Sequence, residues 1–306
     1  MINECLMQTM FNWLNLQEAF DAVKRNKGSA GIDGRSITET ELHWQQHGAE
    51  IEAKLKAGTY VPSPVLGVKI PKSDGGERLL GIPTVQDRVI QQAIQQILTP
   101  LFDSGFSSSS YGYRPYLSAH HAIKQAQAYV QEGKTWVVDI DISAFFDEVN
   151  HDILLHLISQ KVTDHEVLSL TRKYLKTGIM LDGKVECRHK GVPQGSPLSP
   201  LLANIYLDKL DKELEKRGLS FYRYADDVAI FVSSERSAQR VLESVSLWLV
   251  KHLNLRVNQN KSGAGRPWDG QYLGFRKPTK LRLSLHLKAS PDTKKRYGNV
   301  GMHGKV

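Results

Sequence analysis

The residues of this 306-residue chain best suited to chemistry are three aspartates. Asp226 and Asp227 follow Tyr224-Ala225 inside the apolar run FYRYADDVAIFV, where they would form the tip of a tight hairpin. Asp141 closes the apolar run WVVDIDI, 85 residues earlier. Either fragment alone reads more simply as structure, Asp-Asp as a turn and Asp141 as the entry to the next helix. Together the three carboxylates can converge. Such a cluster suits nucleotidyl transfer, in which two magnesium ions about 4 Å apart clamp the attacking 3′-hydroxyl, the α-phosphate and the leaving pyrophosphate.

The elements that must carry these residues follow from the apolar spacing. WVVDIDI (136–142) is expected to be a short buried strand, followed by a helix over 151–160 with Asn150 as its cap. FYRYADDVAIFV (221–232) places two strands around the aspartate turn, with a helix over about 236–253 after it. LLANIYLDKLDKELEKRG predicts a long helix ended by Gly218, entered from the loop GVPQGSPLSP (191–200). Upstream, LQEAFDAVKRNK carries apolar residues at 16, 19, 20 and 23 and predicts a helix that breaks at GSAGIDG. VLGVKIPKSDGGERLLGIP alternates about a Ser-Asp-Gly-Gly turn, as a β-hairpin does. In QDRVIQQAIQQILTPLF the apolar positions form one helical stripe, with Gln and Arg on much of the opposite face.

Composition narrows the class. Apolar residues make up 41% of the chain and charged residues 24%, the balance of a folded globular protein. No apolar run approaches the roughly 20 residues needed to cross a bilayer, and the N-terminus shows no secretion signal. Cys5 and Cys187 lie far apart, which fits neither a disulfide framework nor a cysteine-rich zinc site and points to the cytoplasm. The formal charge is +8, but residues 261–306 hold eleven Lys or Arg against two Asp, a net of +9, so the first 260 residues net −1. A basic tail of this kind is either a solvated surface or a contact for nucleic acid.

From roughly Leu16 to Arg276, the order of fragments resembles the group II intron reverse transcriptases, including intron-encoded maturases. The resemblance is carried by NKGSAGIDG, RLLGIPTVQDRVIQQAI, YGYRPYLSAHHAI, DIDISAFFDEVNHDIL, GVPQGSPLSPLLANIYLDKLD, YADD and YLGF (272–275), in that order. YADD alone is a weak signal; downstream of PQGSPLSP and of D-x4-F-D it is specific. The resemblance implies an α+β fold of the right-hand polymerase type, with fingers, an antiparallel palm sheet and packed helices. Residues 1–45 would be an N-terminal helix and loop of the fingers, 46–277 the fingers and palm, and 278–306 a basic tail at the start of a largely missing thumb.

The implied activity is RNA-directed DNA polymerisation, joined to intron RNA binding as a maturase. Asp141, Asp226 and Asp227 become ligands of two Mg2+ ions, for which Mn2+ can substitute. Asp141 is preferred to Asp139 because the family's aspartate precedes an aromatic residue by five positions, which Phe146 satisfies. Phe146 would lie under the sugar and select deoxynucleotides, while Phe145 suits core packing. Gln194 would help hold the incoming nucleotide and template, and Lys72 and Arg78 would grip the triphosphate. Arg88 and Arg114 are read either as template or fingers supports or as members of buried structural ion pairs, and His120 and His121 as structural or template-lining. The expected partners are an RNA template and primer, intron RNA and dNTPs. The alternatives are a splicing maturase with little polymerase activity and a retron or defence-associated reverse transcriptase. An RNA-copying RNA polymerase fits less well, since that class generally has Gly-Asp-Asp and a polar residue at the position of Phe146.

Overall fold

A computed structural model of the protein describes residues 5–71 and 77–268, and the backbone alone at 271–272 and 275–276. Lys72, part of YLGF and the basic tail from 277 onward lie outside the described residues. The elements run α1 (Leu6–Met10), α2 (Trp13–Asn26), α3 (Ile37–Lys56), β1 (Val65–Pro71), β2 (Glu77–Ile82), α4 (Val85–Asp103), α5 (Ala119–Gln131), β3 (Trp136–Asp141), α6 (Phe145–Glu148), α7 (His151–Ser159), α8 (His165–Lys176), β4 (Ile179–Leu181), β5 (Lys184–Glu186), α9 (Ser199–Lys216), β6 (Ser220–Tyr224), β7 (Asp227–Val232), α10 (Glu235–Leu253) and β8 (Gly263–Gly265). Two interleaved units result: Met1–Gly105 with Phe146–Tyr206, and Phe106–Phe145 with Leu207–Val306.

In the first unit, β1 pairs antiparallel with β2, from Leu66↔Ile82 to Pro71↔Glu77, and parallel with β4, which hairpins into β5. The core helix is α4, capped by Thr84, whose side chain accepts from the Asp87 N–H. Its buried stripe runs Val85, Val89, Ile90, Ala93, Ile94, Leu98 and Phe102. The opposite, polar face is not left to solvent. The Gln96 amide donates to Asn15 Oδ1 at 2.8 Å, Gln91 is buried, and Arg88 donates to the Ser29 carbonyl. Buried polar groups are kept where they find partners: α2 supplies one for Gln96, the 28–34 loop one for Arg88, and the Ser196 hydroxyl donates to Gln91 Oε1. Gly28 leaves room for the Arg88 guanidinium, because a Cβ there would meet Nη1 within 2.1 Å.

Buried Asp87 ties α4 to its neighbours. Its carboxyl accepts from the Tyr60 hydroxyl at 2.8 Å, the Tyr174 hydroxyl at 3.1 Å, the Thr84 hydroxyl at 2.8 Å and the Ser63 N–H at 3.1 Å. Burial raises this carboxyl above the usual range, and those donors oppose the rise.

The second unit is built on a sheet of order β6-β7-β3-β8, antiparallel throughout. On one face Val137, Tyr222, Ala229 and Phe231 pack with Ala122 and Ala126 of α5. Alternation sends Val138, Ile140, Val228 and Ile230 to the other face, where they are also buried, and α10 packs against β3, β7 and β8. α10 stops at Asn254, in the left-handed region at φ 52°, and the chain returns to pair β8 with β3. No described helix is long and apolar enough to cross a membrane.

Candidate active site

The hairpin expected around YADD is present and tight. Tyr224 is the last β6 residue to pair and Asp227 the first of β7, so the loop is Ala225-Asp226 alone. Ala225 has φ 57°, a conformation that costs a non-glycine residue about 1–2 kcal/mol. Across the neighbouring pair, Asp141 is the direct partner of Asp227. Directly opposed residues of antiparallel strands point to the same face, so β3 and β7 bring these two carboxylates together at one end of the sheet. Asp226 is adjacent in the turn. Asp139 shares the face of Asp141 but stands one step further in, opposite Ala229 and Gly263. Among the described residues, no three or more His, Cys, Asp or Glu side chains are already gathered as a metal-holding group.

The exit from β3 is held by a segment whose sequence pattern carries no signal of that role. The Asp141 N–H donates to Ser262 Oγ at 2.9 Å, the Asn258 N–H to the Asp141 carbonyl at 2.9 Å, and the Ser143 N–H to the Arg256 carbonyl at 2.8 Å. Behind the turn, Arg223 and Asp211 form a fully buried ion pair. Arg223 inside an otherwise apolar strand is its only sequence signal, since Asp211 is one of several charged residues along α9.

Of the residues expected to meet the nucleotide, the described ones, Arg78, Phe146 and Gln194, lie in the first unit, on backbone that is hydrogen-bonded into one group. Arg78 sits on β2 opposite Ile70, partly exposed. Three residues later the Gly81 N–H donates to the Gln194 carbonyl at 2.9 Å. The same loop is tied to α6, since the Val192 N–H donates to the Phe146 carbonyl at 2.7 Å and the Gly191 N–H to the Val149 carbonyl at 2.7 Å. Arg78, Gln194 and Phe146 are therefore carried by three connected segments. Phe146 is half-buried and Phe145 is buried.

Gly191 (φ 85°) and Gly195 (φ 103°) have left-handed backbones in tight quarters: a Cβ would lie 2.8 Å from the Phe146 carbonyl oxygen and 3.0 Å from the Gly81 oxygen, respectively. His151 Nε2 donates to the Gly191 carbonyl at 2.8 Å, and burial lowers the His151 pKa. Arg114 donates to the Ser107 and Ser110 carbonyls at 2.7 and 3.0 Å, which makes it a loop anchor, as the Ser29 contact makes Arg88. His121 Nδ1 accepts from the Ser118 N–H at 3.2 Å, a cap for α5, and His120 is exposed beside it.

A family model described as reverse transcriptase (RNA-dependent DNA polymerase) matches residues 70–277, which takes in β2, the YADD hairpin and all three aspartates. The chain belongs to the reverse transcriptase family, in its group II intron branch. It is 31% identical over 302 residues to protein YkfC of Escherichia coli, covering 85% of this chain and 79% of that protein. It is 39% identical over 175 residues to the group II intron-encoded protein LtrA of Lactococcus lactis, covering 57% of this chain and 29% of that one. Among solved structures, a partial Cas6-RT-Cas1–Cas2 complex matches with a TM-score of 0.50 at 28% identity, covering 80% of this chain and 42% of the other. The fold is the α+β right-hand polymerase fold of reverse transcriptases. Members of the family use divalent metal ions. The chain spans most of YkfC and under a third of LtrA.

Proposed function

We propose that the chain is an RNA-directed DNA polymerase that adds deoxynucleotides to a primer 3′-hydroxyl on an RNA template, with Asp141, Asp226 and Asp227 as its metal ligands. The observation that carries this reading is the register pairing of Asp141 with Asp227 beside the two-residue turn that holds Asp226. Like charges set directly opposite each other destabilise a sheet, so the arrangement favours a bound cation, and carboxylate oxygens are the donors that Mg2+ prefers. Bound Mg2+ supplies neutralisation of phosphate charge and a more acidic 3′-hydroxyl.

The chain's own residues then have separate roles. Arg78 and Lys72 draw the triphosphate by charge, Gln194 and the glycine beside it let backbone approach the base pair, and the Phe146 ring excludes a 2′-hydroxyl. The resemblance to an intron-encoded protein supports a second activity, binding intron RNA as a maturase, with the basic stretch from Lys261 onward as a contact for phosphates. Primer extension on an RNA template tests the polymerase activity, since DNA product should require Mg2+ or Mn2+ and dNTPs. Splicing of a cognate intron with the aspartates neutralised separates the two activities, because a maturase that does not depend on polymerisation keeps splicing.

A further inference from the structure

The back of the carboxylate turn is occupied by a charged network that metal binding does not use. Arg223 lies on β6, one residue before Tyr224, so its side chain points to the face opposite that of Tyr224 and Asp227. It is fully buried, as is Asp211 of α9. The guanidinium donates from Nε to Asp211 Oδ1 at 2.8 Å and from Nη2 to Oδ2 at 2.6 Å. Nη2 also reaches Ser110 Oγ at 2.7 Å, and Nη1 donates to the carbonyl of Ala225 at 2.9 Å. That carbonyl belongs to the left-handed residue of the turn.

We propose that Arg223, oriented by Asp211 and Ser110, is a positioning residue that fixes the Ala225 carbonyl and thereby sets the direction in which Asp226 and Asp227 are presented. The proposal rests on the assignment of those aspartates as metal ligands. Three observations carry it. A buried ion pair seldom adds net stability over well-packed apolar residues, so a fully buried arginine in a strand calls for a geometric role. The planar fork holds Asp211, Ser110 and the Ala225 carbonyl at fixed directions, one of them bidentately, a geometry that a lysine ammonium does not reproduce. The strand is also gripped from its other side: the Arg223 N–H donates to the Ser109 carbonyl and the Tyr111 N–H to the Arg223 carbonyl, both at 2.8 Å. Next to them, Gly112 fits flush against the turn, where a Cβ would lie 2.2 Å from the Ala225 nitrogen. Turn, loop and helix are thus braced on one guanidinium, and Arg223 stands behind the reacting face.

The test compares the wild-type chain with the double variant Arg223→Leu/Asp211→Leu, which replaces the pair by apolar residues, and with Arg223→Lys, which keeps the charge and loses the fork. Melting, Mn2+ binding by electron paramagnetic resonance, primer-template affinity and single-turnover nucleotide addition are measured for each. The double variant and Arg223→Lys should both fold and bind primer-template normally, while Mn2+ binding weakens and the addition rate falls about 10- to 100-fold, the cost of misplacing a catalytic group by about an ångström. If the double variant does not fold, Arg223→Lys decides. Folded variants with wild-type Mn2+ affinity and wild-type rate would overturn the brace and leave the metal-site assignment standing. A wild-type chain that neither binds Mn2+ nor extends a primer would overturn both.

Discussion

Asp141 and Asp227 are direct partners across the antiparallel strands β3 and β7, the final pair of that ladder. The side-chain period of a strand is two, so a slip of one residue would set Ile140 or Val228 in that position and send one carboxylate to the opposite face, among Val138 and Ile230. Register is pinned by the inward residues Val138, Ile140, Val228 and Ile230, and by Val137 with Phe231 on the α5 side. The same register sets Asp139 against Ala229, which supports Asp141 over Asp139 as the partner of the YADD turn.

Neutralising one member of the opposed pair should stabilise the metal-free fold while removing activity. Asp141→Asn or Asp227→Asn is expected to gain about 0.2–1 kcal/mol in the absence of divalent ions, the value of a cross-strand repulsion relieved. Synthesis should fall by about 10³-fold or more, since a metal contributes several kcal/mol to the transition state. Thermal melting with and without Mg2+ checks the first half: added Mg2+ should raise the melting point of the wild type and leave the variants unmoved.

Phe146→Val should admit ribonucleotides. The ring is half-buried on α6, tied by its backbone carbonyl to the Gln194 loop, so truncating the side chain opens space without unseating the loop. Relative incorporation of rNTP over dNTP should rise by about 10-fold or more, the range in which a pocket senses a single added group. Unchanged sugar discrimination in steady-state incorporation assays would move the gate elsewhere.

Gly191→Ala combines a left-handed backbone with a Cβ placed 2.8 Å from the Phe146 and Asp147 carbonyl oxygens. It should destabilise the fold by about 1–3 kcal/mol. Denaturant unfolding is the check, with a lowered midpoint and an unchanged slope.

Acid sensitivity should depend on His151. Its pKa is lowered by burial, and Arg188 nearby adds to the effect, while the Gly191 carbonyl opposes it. With the folded value below the unfolded value of about 6.5, the His151 contribution is fully present above that pH. As pH falls below about 6.5, the unfolded chain takes up a proton that the folded chain refuses, and stability declines until the folded pKa is reached. Stability measured by denaturant between pH 7.5 and 5 should fall less steeply for His151→Gln than for the wild type.

The elements legible in the sequence are those whose apolar period is strong: α2, α4, α7, α9 and α10, the β1–β2 hairpin, β3 and the YADD hairpin. The less visible ones lack that period. α3 buries only Thr40, Ile51 and Leu55 over twenty residues, although the Ser36 and Glu39 capping box marks its start. β8 is Gly-Ala-Gly, with no strand propensity of its own, and forms because β3 offers an edge next to it. At the site, residue types and order name Asp141, Asp226 and Asp227, but the cross-strand partnership is a matter of register, and the bracing of Ala225 by Arg223 joins residues distant in sequence through side chains that no spacing rule reads.

The most direct test of the central claim is single-nucleotide addition on an RNA template, followed by rapid quench in Mg2+ with dNTP, for the wild type and for Asp227→Asn at matched primer-template occupancy. Metal-dependent addition by the wild type, with the variant bound to primer-template but slower by about 10³-fold or more, is the predicted result. Comparable rates in the two proteins would contradict the assignment of the opposed aspartates as the metal site.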